Sequence, residues 1–100
     1  MVAEPSAEQE VVMHTRQWHV ELFLSENEGR TNATARLRTG SGATLDAEGT
    51  ARLNPADRDV PEIGDELAAA RALSALAHRL LDVAAEDIEG ITHEPARLDR

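Results

Sequence analysis

The stretch from Val60 to Ile91 constrains this chain more than any other, because it is the only segment long and apolar enough to cover a sheet. Ile63, Leu67, Ala70, Leu73, Ser74, Ala77, Leu80, Leu81, Ala84 and Ile88 recur at steps of three and four, the spacing that aligns side chains along one side of an α-helix. Asp65, Arg71, His78, Arg79, Asp82 and Glu86 fall on the opposite side, and the alanines between them raise helix propensity without adding bulk. The spacing therefore predicts one helix, about 40 Å long at 1.5 Å per residue, with the first stripe as its core face. Leu76 and Val83, on a second flank, predict a further contact surface.

Two starts are open to this helix. Pro61 suits a first turn, with Asp59 and Glu62 placed like a capping box, while Gly64 and Asp65 offer a later beginning. At the other end Gly90 fits the left-handed position just past a helix, and Ile91 is expected to fold back onto the last turn. Burying a leucine or isoleucine contributes roughly 1.5 to 3 kcal/mol, whereas ordering each backbone residue costs about 1 to 2 kcal/mol. Such a helix needs a sheet to pack on.

Upstream sequence supplies three strands. From Arg16 to Ser25, Trp18, Val20, Leu22 and Leu24 alternate with Gln17, His19, Glu21 and Phe23, which leaves Phe23 on the polar side. Residues 26–30 read as a turn, followed by a strand from Asn32 to Thr39 with Ala33, Ala35 and Leu37 inward. Gly40-Ser41-Gly42 makes a tight hairpin into a third strand, from Thr44 to about Leu53. Within it Gly49 marks either a bulge or a close helix approach. Asn54-Pro55-Ala56-Asp57 is a turn signal.

The expected fold is α+β: a three-stranded antiparallel meander covered on one face by one long C-terminal helix, in the order β-β-β-α. Residues 1–13 are expected to be a mobile acidic leader, residues 14–91 the single domain and residues 92–100 a frayed tail. A sheet this wide spans about 10 Å between outer strand axes, so one helix covers its outer strands only in part, and both edges stay open. Pairing of two copies addresses both problems. A homodimer is therefore expected, with Trp18, Phe23, Leu76 and Val83 as dimer contacts.

Composition narrows the function classes. The chain has no cysteine, which removes disulfides and thiolate metal sites. It shows neither a signal-peptide pattern nor eighteen consecutive apolar residues, which predicts a soluble, cytoplasmic protein without a membrane partner. His14, His19, His78 and His93 lie apart, and no two have a helical ligand spacing. His78 and Asp82, one turn apart, read as a solvated pair rather than a metal site. Ser25, Ser41 and Ser74 lack a neighbouring base and an anion-stabilising turn, so no enzyme, cofactor or metal is expected.

Charge is the more informative pattern. Every one of the ten cations is arginine, and the net charge is −9. Residues 14–54 balance five acids with five arginines, while residues 55–91 carry nine acids and three arginines. Arg36 and Arg38 on the outer sheet face, between strands bearing Glu21, Asp46 and Glu48, form cross-strand ion pairs or, with Arg52 and His19, a surface able to meet phosphates. Near the helix C-terminus Asp82, Glu86, Asp87 and Glu89 oppose the helix dipole; they serve solubility or dock a basic protein partner.

The run NPADRDVPEIGDELAAARALSALAHRLL from Asn54 to Leu81, preceded by WHVELFLSE and TARLN, resembles a small family of actinobacterial type with unknown function and a fold akin to double-stranded-RNA-binding domains. The resemblance covers residues 14–91. It implies a shape like that of ribosome hibernation promoting factors when two copies pair, and hence a role in translational silencing under stress or dormancy. Those factors present basic surfaces to ribosomal RNA, and in this acidic chain only the sheet face supplies clustered cations. The expected function is a non-enzymatic homodimeric binding protein that meets the ribosome or RNA. The alternative is an acidic interaction module that binds a protein and no RNA.

Overall fold

The structure, a computed structural model, describes residues 13–52 and 61–98. Three strands, β1 (His19–Asn27), β2 (Arg30–Arg38) and β3 (Thr44–Arg52), form an antiparallel sheet in sequence order, and one helix, α1 (Pro61–Thr92), follows. This is the expected β-β-β-α order. The leader up to residue 12, the Asp59 half of the capping box and the turn from Asn54 to Asp57 lie outside the described residues.

The first hairpin is tighter than its sequence implied. Glu28 and Gly29 both take positive φ, 50° and 74°, which makes a two-residue turn of the type whose twist matches paired strands. Asn27 consequently pairs with Arg30, β1 runs two residues further than expected, and Arg30 joins β2 instead of the turn. In the second hairpin Gly42 has φ 90°, Thr39 N donates to Ala43 O at 2.8 Å, and Gly42 N donates to Thr39 O at 3.0 Å.

The sheet face beneath α1 is built from small side chains. Thr31, Ala33, Ala35 and Leu37 of β2 alternate inward, as do Leu45, Ala47, Gly49 and Ala51 of β3. The helix presents Ala68, Ala72 and Leu76 to them, with Ala75, Leu80 and Val83 partly buried alongside. Gly64 belongs to the same row, for a Cβ there would stand 2.8 Å from Thr31 Oγ1. Alanine and glycine on both partners let the helix backbone settle almost onto the sheet, so Gly49 marks a close approach and β3 shows no bulge.

This seating corrects the predicted helix phase. Residues 64, 68, 72 and 76 face the sheet, whereas Ile63, Leu67 and Leu73 of the expected core stripe are 52%, 45% and 41% exposed. The bulky stripe carries the stronger periodic signal, but the sheet's small inward residues reward close backbone approach over side-chain length. Leu76 is corrected by the same observation. It is buried in the chain's own core and so does not open to a partner, while Val83 packs against that core and is only partly buried.

The helix also ends later than expected. It passes through Gly90, and His93 takes the left-handed conformation instead, with φ 61°. Thr92 Oγ1 donates to Ile88 O at 3.1 Å and accepts from Glu94 N at 3.2 Å, which holds the last turn past the glycine. Ile91 does not fold back and stays 80% exposed. At 32 residues α1 is about 48 Å long, while a nine-residue strand spans about 30 Å. The final turns, with Glu86, Asp87 and Glu89, accordingly stand exposed beyond the core.

Candidate functional site

Strand β1 stands between two surfaces of different chemistry. Its helix-side face carries Val20, Leu22 and Leu24, paired across the sheet with Leu37, Ala35 and Ala33. Those β2 partners are buried, but α1 lies over β2 and β3, and Leu22 and Leu24 remain 38% and 45% exposed. Trp18, just before the strand, is exposed as well. A nine-residue edge strand with this half-covered apolar row leaves a packing demand unmet among the described residues.

The opposite face is polar and can be followed rung by rung through the register. His19, Arg38 and Thr44 form the first rung; Glu21, Arg36 and Asp46 the next; then Phe23, Thr34 and Glu48; then Ser25, Asn32 and Thr50; and last Asn27, Arg30 and Arg52. Arg36 grips Asp46 with two bonds, Nε to Oδ1 at 3.0 Å and Nη2 to Oδ2 at 3.2 Å, and its guanidinium lies 5.3 Å from the centre of the Phe23 ring. The hydrogen bond from Arg36 holds the Asp46 carboxyl below the usual carboxylate range, and the same pairing raises the already high Arg36 pKa. Thr50 Oγ1 donates to Asn32 Oδ1 at 3.1 Å on the rung beyond.

At the first rung the surface is concave. Gln17, Trp18, His19, Glu21, Arg36, Arg38, Thr39 and Gly40 line an open depression of about 510 Å³. Trp18 forms one wall, its Nε1 3.6 Å from where a Cβ on Gly40 would stand. Three of the four residues expected to meet phosphate, His19, Arg36 and Arg38, thus share one site. Arg52 does not: it sits four rungs away, roughly 27 Å along the strand direction, directly opposite Arg30. Within the concavity Arg36 is committed to Asp46, while Arg38 forms no ion pair among the described residues.

Arg30 was missed as part of this face. The signal that finds it is the Glu28-Gly29 dipeptide, since a two-residue turn shifts the following arginine onto β2. Of the expected partner-docking acids, Glu86, Asp87 and Glu89 are exposed near the helix end, and Asp82 is engaged in an interaction of its own. Phe23 is half exposed on the polar face under Arg36. Among the described residues no group of three or more metal-ligating side chains comes together, and no helix is long and apolar enough to cross a membrane.

Comparison with known proteins places this architecture. The chain is 57% identical over 83 residues to the uncharacterized protein Mb1767 of Mycobacterium bovis, a match covering 83% of this chain and 87% of the relative. It is 47% identical over 76 residues to the uncharacterized protein Rv2632c of Mycobacterium tuberculosis, covering 76% of this chain and 81% of that one. The crystal structure of Rv2632c superposes with a TM-score of 0.74 at 43% identity, over 83% of this chain and 98% of the solved one. A profile of the Rv2632c-like proteins matches residues 16–97, and the chain belongs to that family.

Proposed function

We propose that this chain is a non-enzymatic binding protein that works as a homodimer and presents the outer face of its sheet to the phosphates of a ribosomal or other RNA surface. The observation that carries the reading is the pairing of Arg38 with His19 at the head of the concavity, beside Trp18 and with no acid bonded to Arg38 among the described residues. A guanidinium next to an imidazole suits a phosphate oxygen, and an exposed indole offers a base a stacking surface. Arg30 and Arg52 add a second cationic rung at the far end of the same face. A net charge of −9 limits nonspecific attraction to RNA, so contacts concentrate on these few arginines. We extend the proposal to resting cells, where a cytoplasmic protein of this kind would act in the stress or dormancy response, as the resemblance read from the sequence to hibernation-type factors implies.

Co-sedimentation with ribosomes from resting and growing cells, at low and moderate salt, tests this reading. The expected result is salt-sensitive migration with ribosomal particles from resting cells, lost in an Arg38→Glu, Arg52→Glu variant that keeps its circular dichroism. Migration at the top of the gradient under every condition would refute it.

A second reading has its own observation. Glu86, Asp87 and Glu89 are exposed on the helix end, where the last turn holds no basic residue. Such a surface suits a basic protein segment. If it acts, capture of a basic partner weakens with salt and is lost in Glu86→Gln, Asp87→Asn, with no dependence on Arg38.

A further inference from the structure

Resting on the homodimeric reading, the geometry of pairing follows from the sheet edges. We infer that two copies join edge to edge through β1, antiparallel and centred on Leu22, so that two three-stranded sheets become one six-stranded sheet with both helices on the same face.

One edge is already capped in part. Arg71 Nη1 donates to Thr50 O at 2.7 Å, and Arg79 Nη1 donates to Asp46 O. Both carbonyls belong to the rungs of β3 whose backbone groups point away from β2, so the helix's own arginines occupy the outer rim of that strand. Among the described residues no side chain caps the β1 edge in this way. Asn27 and Arg30 flank a two-residue turn and form a hydrogen-bonded pair, and strict alternation from there directs the N–H and C=O of Val20, Leu22 and Leu24 outward. The free backbone groups and the half-exposed apolar side chains thus belong to the same three residues.

The sequence of β1 selects both the occupant and the register. Centred on Leu22, antiparallel pairing sets Leu22 against the partner's Leu22 and Val20 against the partner's Leu24, an apolar row that is its own complement. On the outer face Glu21 meets the partner's Phe23 and His19 meets the partner's Ser25, with no like charges opposed. Moving the centre to Phe23 sets Val20 against the partner's Glu26, and moving it to Glu21 sets two carboxylates face to face. The joined apolar rows then form the floor of a trough between the two helices. Because Arg71 and Arg79 already occupy two outward carbonyls of β3, pairing through that edge is opposed and assembly stops at two copies.

The absence of cysteine makes a direct test clean. Glu21→Cys and Phe23→Cys variants, both at exposed outer-face positions, are prepared separately, mixed in equal amounts and oxidised. In the inferred register residues 21 and 23 of opposite copies form a non-hydrogen-bonded pair about 4.5 Å apart at Cα, within disulfide reach, while like residues stand roughly 8 Å apart. The expected result is a reducible band of twice the chain mass in the mixture and none in either variant alone. Cross-linking of Phe23→Cys by itself would move the centre to Phe23 and overturn the register. A dimer by light scattering with no cross-link in any sample would overturn β1 pairing and leave the homodimeric reading standing, whereas a monomer at micromolar concentration would remove both.

Discussion

Gly49 lies directly beneath the backbone of Ala72: a Cβ at position 49 would stand 2.3 Å from the Ala72 amide nitrogen and 2.6 Å from Ala68 O. The obstructing atoms are helix backbone, which cannot swing aside as a flexible side chain would. Gly49→Ala must therefore lift α1 off β3, opening a seam between alanine surfaces that are otherwise in close contact. Overpacking of this kind typically costs about 1 to 3 kcal/mol, and displacement of a whole helix puts this site at the upper end or above it. Urea unfolding of the variant should show a lowered midpoint.

The same close seating decides which helix leucine matters for stability. Leu76 is 3% exposed and buried among β2 and β3 residues, so Leu76→Ala should lose about 2 to 5 kcal/mol. Ile63→Ala, on the bulkier stripe, should stay within about 0.5 kcal/mol in the isolated chain. Thermal melts at low protein concentration compare the two. Equal losses would contradict the helix phase described here.

The fold was legible because each strand alternates over nine residues and each hairpin carries its own glycine. Helix phase was not. A periodicity argument weighs large apolar residues, and in α1 these lie off the seam, while the seam itself reads as background alanine. On the outer face, Arg36 with Asp46 could be anticipated from strand alternation, and the register turned it into a bidentate pair. The placement of Arg52 opposite Arg30 depended on a turn length that composition alone does not fix.

Asp46 gives the acid limb of the stability profile a definite sign. Its carboxyl is held below the ordinary range mainly by the hydrogen bond from Arg36, with desolvation opposing. A depressed native pKa contributes stability above the unfolded value, about 4, and that contribution disappears as pH falls through the lowered native value. Arg36 stays cationic throughout this window. Asp46→Asn should therefore melt slightly below the unmodified chain at neutral pH, and the two curves should converge as the pH falls below about 4. The pair is solvent-exposed, so added salt should shrink the neutral-pH difference.

Arg71 and Arg79 connect helix position to the state of assembly. Each donates to an outward carbonyl of β3, so their guanidinium groups serve as a rim that a further strand would have to displace. Removing both side chains in Arg71→Ala, Arg79→Ala takes away that rim while leaving Ala68, Ala72 and Leu76 to hold the helix on the sheet. The sheet then has a second open edge, and a chain able to pair through β1 can extend through β3 as well. The double variant should form assemblies whose mass rises with protein concentration, read by light scattering, at a temperature where its circular dichroism still matches that of the unmodified chain. Restoring a donor in Arg71→Lys, Arg79→Lys should reduce that growth. If the alanine variant instead keeps a fixed mass across the concentration range, the arginines only fasten the helix, and the β3 edge is protected by something other than their bonds to Thr50 and Asp46.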